Sequence, residues 1–401
     1  MLKENIGMHK QVLTVIAGLT LAFSALAEDW PVWRGPNHDG ISKEKGLKPS
    51  TKVDWKKNVG AGYSAVTVCK GKLLTAGNSD DEDVIYCLDP KTGKQIWKYS
   101  YPCSEGRSYP GSRATPVTDG SKVWMLSRNG DLICLNLSNG KKVWSKKVLS
   151  SGARNTKWGL AGSPLILNNL VVVNVGAGGM AFNKNTGRAA WSNSGGLGAY
   201  ATPMPFKYSG KQYVAMFTGK SLVIVNAANG KKITSTPWLT KHDINAADPV
   251  ILADGKYIFV SSGYNKGGGV YRFNGSSLSK VWENRNMCCH FSSPVLFDGV
   301  LYGVNGNTGS RNALCAVDFK TGDRKWRGTL RFGSLVIAGD MLIYLEESGK
   351  LSFLKVSSGR QQILKSGRVL RGGKSWTMPV VANGLLYCRN SKGDLVCLNL
   401  K

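Results

Sequence analysis

Histidine and carboxylate are scarce in this chain, and that scarcity excludes several chemistries. The 401 residues hold four His, and 25 Asp and Glu against 53 Lys and Arg. Of the His, only His242 and His290 fall beyond the first forty residues, too few and too separate for a zinc cluster. A hard cation needs several convergent oxygens, and the best set, Asp243, Asn245 and Asp248 in "KHDINAADP", comes from one segment. There is no G-x-S-x-G nucleophile elbow. "NVGAGGMAF" and "GYNKGGGVYRF" are glycine-rich, but no helix follows to cradle a phosphate, so both read as turns.

Long apolar runs are missing too. Only the N-terminus has one, in "MHKQVLTVIAGLTLAFSALA", where a basic start (His9, Lys10) leads into apolar residues 12–23 and the small pair Ala25 and Ala27. This predicts a secretory signal over residues 1–27 and a periplasmic or secreted product. Nothing else approaches the roughly 20 apolar residues that span a bilayer. No cysteine precedes Cys69, so no lipid-anchor cysteine is expected after the signal.

The formal net charge of +28 favours anionic partners: lipid headgroups at a membrane surface, acidic polysaccharide or acidic protein. Nucleic acid would bind without specificity, and export removes it as a natural partner. Nine cysteines is an odd number, so at least one is unpaired within a monomer. Cys87, Cys134 and Cys397 share one position of a repeat and read as small core residues. Cys388 and Cys397 flank the turn "RNSKGDLV" and would form a disulfide if the hairpin register sets them face to face.

What the chain has in abundance is repetition. "YCLDPKTGKQIWKYS" returns as "ICLNLSNGKKVWSKK", "MAFNKNTGRAAWSNS" and "LCAVDFKTGDRKWRG". The marker positions are Asp89, Asn136, Asn183, Asn226, Asn274, Asp318, Lys355 and Asn399. Glycine usually follows four residues on (Gly93, Gly140, Gly187, Gly230, Gly322, Gly359), predicting a turn with positive φ. Tryptophan follows at eight (Trp97, Trp144, Trp191, Trp282, Trp326), with Thr234 and Ile363 standing in for it in the fourth and seventh repeats. Before each marker run two apolar strands, six times opened by proline, as in "SSPVLFDGVLYGVN". Four antiparallel strands per unit, repeated eight times, predict an all-β fold: an eight-bladed β-propeller over residues 51–401. The eighth unit stops before its tryptophan, while Trp55 in "VDWKKNVG" is unclaimed. The expectation is that this N-terminal strand completes blade eight and closes the ring.

Leu-Asp-x-x-Thr-Gly-Lys-x-x-Trp resembles the tryptophan-docking repeat of the pyrroloquinoline-quinone (PQQ)-type eight-bladed propellers, across roughly residues 51–401. "DWPVWRGPNHDGIS", within residues 28–50, resembles the tryptophan-rich lead-in that precedes such propellers. The resemblance implies a structural docking role for Trp97, Trp144, Trp191, Trp282 and Trp326, and for Trp55 in the closing strand. It also implies one of two activities. The BamB-like branch of outer-membrane protein assembly is a cofactor-free scaffold; the quinoprotein alcohol dehydrogenases hold PQQ and calcium. Adjacent Cys288 and Cys289 in "RNMCCHFSSP" resemble the vicinal pair of the dehydrogenases and would make the cofactor contact there, in a loop expected to open onto the central funnel. No calcium set aligns, so the reading is a monomeric, non-enzymatic binding protein with neither cofactor nor metal. The alternatives are a quinoprotein oxidoreductase and a polysaccharide or cell-wall binder.

Lysines such as Lys146 and Lys147 fall on outermost strands, where charge discourages edge-to-edge pairing. A second basic set falls in loops leading into innermost strands: Arg107, Arg113, Arg154, Lys157, Arg285, Arg331, Arg368, Arg371 and Lys374. Tyr109, Trp158 and Trp376 share those loops. Arginine with aromatics around one concavity is the composition of an interaction hot spot. The partner-binding candidates are therefore Arg113, Arg154, Trp158, Arg285, Arg331, Arg371 and Trp376, facing a protein or other anionic envelope component.

Overall fold

Burial along one repeat shows how the pattern becomes a blade. In the second repeat the strands Lys122–Leu126 and Asp131–Asn136 are buried on both faces, because blades pack on either side. The outermost strand Lys142–Lys147 buries only Trp144. A computed structural model describes residues 28–401 except 107, 310 and 311; the expected signal and Arg107 lie outside the described residues. Among the described residues the strands form eight sheets, each with four antiparallel blade strands ordered from the channel outward. Blades 1 to 8 span residues 67–102, 117–147, 165–192, 204–237, 250–284, 295–327, 333–368 and 380–399, and the last takes its fourth strand from the N-terminal side.

The repeat tryptophans join blade to blade. Each indole Nε1 donates to a backbone carbonyl in the next blade's outer turn: Trp97 to Leu137, Trp144 to Lys184, Trp191 to Ala227, Trp282 to Phe319 and Trp326 to Ser357, at 2.9–3.1 Å. In the first four of these the ring lies on that turn's glycine. A Cβ on Gly140 would sit 2.6 Å from the Trp97 ring, and φ is +72° there. The Asp or Asn marker closes the turn: Asp89 Oδ1 accepts from the amides of Lys91 and Thr92.

The degenerate repeats lose ring and turn together. Blade 4 has Thr234 in the tryptophan's place, and the blade 5 turn it faces is short, Asn274 donating to Ser277, with its glycine moved to Gly275, directly after the marker. Trp238 fills in, fully buried between blades 4 and 5, with Nε1 on Ser262 Oγ at 3.0 Å. In blade 7 the turn is longer, Lys355 donating to Gln362 where Asp89 donates to Lys94. The residue aligned with the tryptophans is therefore Lys365, paired with Phe353, and not Ile363. Gly359 in this enlarged turn lacks the expected positive φ.

The ring closes as the unclaimed tryptophan suggests. Trp55–Asn58 pairs antiparallel with Asp394–Asn399, Trp55 opposite Cys397, and Trp55 Nε1 donates to Pro90 O of blade 1. Arg389, buried in blade 8, reinforces the seam by donating to Thr75 Oγ1 and Ala76 O of blade 1 and to Gly60 O and Ser64 O before it.

The lead-in does more than precede the ring. Trp30 bridges Val68 of blade 1, and Pro31 O accepts from Thr118 of blade 2. Trp33 Nε1 then reaches Asp248 before blade 5, and Arg34 reaches Pro294 O before blade 6. Ile41–Ser42 runs parallel to the innermost strand of blade 7, and Glu44 Oε2 accepts from Gly384 of blade 8. A segment touching the inner side of blades 1 and 2 and also of 5 and 6 must cross the channel. It plugs it.

Replacing Trp144 with Ala removes a buried ring and its hydrogen bond, a cost of about 3–5 kcal/mol. Urea unfolding should show that loss while the folded fraction keeps its ligand binding. A stable Trp144→Ala protein that no longer binds would contradict the docking role.

Candidate functional site

Strand alternation sends two sets of loops to one face of a propeller: those entering each innermost strand and those joining second to third strands. On that face the plug leaves a cavity of about 210 Å³ over the Trp33 ring. Its wall is aromatic. Tyr63 stacks on Trp376 at 5.1 Å, and Tyr109 and Phe291 approach the same ring at 5.3 and 4.8 Å. Tyr264 meets His290 at 5.0 Å, and Trp158 faces Tyr200 at 6.3 Å.

Of the partner-binding candidates, the structure brings Arg113, Trp158 and Trp376 to this cavity. Arg154, Arg285 and Arg371 are exposed and outside its lining; Arg331 is exposed beside a separate hollow between blades 6 and 7. The mouth is thus an aromatic bowl with one guanidinium, not a ring of arginines. Sequence reasoning passed over Trp33, Tyr63, Tyr200, Tyr264, His290 and Phe291. Their position just before innermost strands, in the plug, or for Tyr264 between the second and third strands of blade 5, was the available signal.

Hydrogen bonds fix the bowl. Arg128 of blade 2 is buried and donates to the carbonyls of Glu105 and Trp158, tying together the loops that carry Tyr109, Arg113 and Trp158. Arg113 Nη2 donates to Tyr109 O at 2.8 Å, and its guanidinium lies 5.7 Å above the Tyr63 ring. Trp376 Nε1 donates to Glu347 Oε1 at 2.8 Å. Beneath, a belt links successive blades: the amides of Ala65, Thr115, Ser163, Thr202 and Asp248 donate to the side chains of Thr115, Ser163, Thr202, Asp248 and Ser293. Asp248 joins belt to plug, its Oδ2 accepting from Trp33 Nε1 at 2.7 Å and from Ser293 Oγ at 2.9 Å.

The charge is unbalanced. Among the described residues no carboxylate lies within salt-bridge distance of Arg113 or Arg128, and Arg113 Nε is buried without an acceptor. Burial and the adjacent Arg128 charge push the Arg113 pKa down to about 10, which still leaves it cationic at neutral pH. Burial holds His290 down to about 4, so it is a neutral imidazole there, hydrogen-bonded to the Tyr264 hydroxyl.

The residues do not fit a calcium–quinone pair. Asp248 already accepts three hydrogen bonds, Asn245 Nδ2 and Oδ1 are both engaged in the fold, and Asp243 faces Lys220 at 4.0 Å. Among the described residues no three His, Cys, Asp or Glu side chains converge on a metal position. Cys288 and Cys289 do not open onto the funnel as expected. Their amides bond to Asn305 Oδ1 and Ser261 Oγ, both thiols are buried, and burial pushes that of Cys289 up to about 12. From the same loop it is His290 and Phe291 that reach the cavity. All nine cysteines are free thiols. Cys388 pairs with Val396 and Cys397 with Tyr387, so the blade 8 register is one residue off what their disulfide would need.

Comparison with known proteins separates fold from activity. The chain is 22% identical to the outer membrane protein assembly factor BamB of Yersinia pestis over 364 residues, 87% of this chain and 78% of that protein. It is 27% identical to quinohemoprotein alcohol dehydrogenase ADH-IIG of Pseudomonas putida over 158 residues, 36% of this chain and 21% of that enzyme. The chain thus spans about a fifth of the length of that enzyme. A solved quinohemoprotein alcohol dehydrogenase from Comamonas testosteroni superposes with a TM-score of 0.69 at 12% identity, covering 93% of this chain and 80% of the other, which is a likeness of fold. The family described as outer membrane protein assembly factor BamB matches residues 80–328 and again 247–401, and the chain belongs to that family.

Proposed function

We propose that this is an exported, non-enzymatic binding propeller that takes an anionic group of an envelope partner into the mouth of its plugged channel. The observation that carries this reading is Arg113, held in an aromatic bowl beside Arg128 with no counter-anion from the chain. A half-buried charge without a counter-anion is costly, and an incoming anion relieves that cost. The hydroxyls of Thr308 and Thr377 in the lining are bonded to Glu347 and to Arg389 O, and the His290 imidazole holds Nε2 against the Tyr264 hydroxyl. Family membership supports a scaffold, since the family is described as an assembly factor. No helix among the described residues is long and apolar enough to cross a membrane. The partner reads as a protein, and the ring, closed by its own strand, needs no second copy.

The test compares charge reversals in capture from envelope extract. Arg113→Glu should lose a partner that the parent protein retains, with little change in melting temperature, while Arg371→Glu, outside the bowl, should keep it. Equal losses from both would reduce the attraction to general basicity. Reduction of a dye by an alcohol that depends on added PQQ and calcium would replace the reading with an oxidoreductase.

A further inference from the structure

We infer, resting on the reading of the mouth as the binding site, that its ligand is a single apolar ring carrying one carboxylate, inserted end-on. The channel is blind. Trp33 floors the cavity and is tied to Asp248, so a chain cannot thread through and only an end or a projecting group can enter. About 210 Å³ is below the ~300–1,000 Å³ of sites for drug-sized molecules and suits one ring.

The polar tips of Trp33, Trp376 and Tyr264 already have partners. Trp33 and Trp376 donate their indole N–H groups to carboxylates, and the Tyr264 hydroxyl meets His290 Nε2. What these residues offer a guest is therefore ring faces. A hydroxyl-rich sugar would leave water without replacement hydrogen bonds, a net loss for each buried hydroxyl. An apolar ring loses nothing of that kind.

Charge sets the other end of the guest. Arg113 lines the cavity and, among the described residues, no carboxylate pairs with it, so one carboxylate from the guest completes the pairing. Two or three carboxylates would leave negative charge against aromatic faces. The low pKa of Arg113 is what burial near another cation, without an anion, produces.

This chemistry can come from a peptide's C-terminal aromatic residue or from a free arylalkanoate, and the probes distinguish them. Titration followed by tryptophan fluorescence would compare 3-phenylpropionate with 3-phenylpropanamide, and a tripeptide ending in phenylalanine with its C-terminal amide. Each acid should bind on the order of ten- to a hundredfold tighter than its amide, the step a charge-assisted hydrogen bond gives. Arg113→Met should erase the difference and Arg113→Lys restore part of it. Tighter binding of the tripeptide than of 3-phenylpropionate assigns the site to peptide ends, and the reverse assigns it to free acids. Equal binding of acid and amide, or tighter binding of glucuronate, overturns the inference. If acid and amide bind alike while Arg113→Glu still loses its envelope partner, only the ligand chemistry is wrong. If Arg113→Glu keeps that partner as well, the mouth reading falls with it.

Discussion

Deleting residues 51–58 is expected to open the ring at blade 8. The strand Trp55–Asn58 supplies the whole outer partner of Asp394–Asn399, in the register Trp55 to Cys397 and Asn58 to Asp394. It also carries the Lys56–Asp394 ion pair at 3.2 Å and the Asn58 bond to Lys392 O. Trp55 seats on Gly93 of blade 1, so deletion removes the docking contact across the seam as well. A fully buried tryptophan is worth about 3–5 kcal/mol, and Trp55, half-buried, less than that. With a strand's ladder added, the loss approaches the roughly 5–15 kcal/mol that stabilises a typical domain. Hydrogen exchange should show protection at residues 394–399 falling by more than about a hundredfold while blades 2 to 5 change less. Equal protection with and without the segment would mean the ring is closed by something else.

Asp248→Ala should cost on the order of 3–6 kcal/mol by unfolding in urea, because three donors lose their acceptor at once. These are Trp33 Nε1 at 2.7 Å, the Thr202 amide at 2.7 Å and Ser293 Oγ at 2.9 Å. The residue is 3% exposed, so water cannot easily replace it. Asp248→Asn keeps one acceptor oxygen and should cost less. Because Trp33 is the floor of the cavity, Asp248→Ala should also weaken ligand binding by the folded fraction. A loss within about 1 kcal/mol would show that the belt and plug do not depend on this carboxylate.

The fold was legible because the repeat writes the same physics eight times. Marker, glycine and tryptophan each have one structural job, so spacing alone located the turns and the closing Trp55. Where the turn lengthens, as after Lys355, fixed spacing pointed to Ile363 while the strand pairing selects Lys365. The site was legible only as a set of loops. Position before an innermost strand brought Arg113, Trp158 and Trp376 together. The same rule included Arg154, Arg285 and Arg371, whose side chains leave for solvent, since loop position does not encode side-chain direction. Trp33 was hidden for another reason. It lies far from Asp248 in sequence, and nothing in "DWPVWRG" says that the segment crosses the channel.

The central claim, that the mouth is where this protein meets its partner, is tested most directly by photo-crosslinking in the living envelope. A benzophenone amino acid would replace Tyr109, 43% exposed at the rim of the bowl, or Val143, 39% exposed on the outer edge of blade 2. The account predicts a discrete adduct from position 109 that disappears when Arg113→Glu is added, and none of comparable yield from position 143. An adduct from position 143 alone, or one from position 109 indifferent to Arg113, would contradict it.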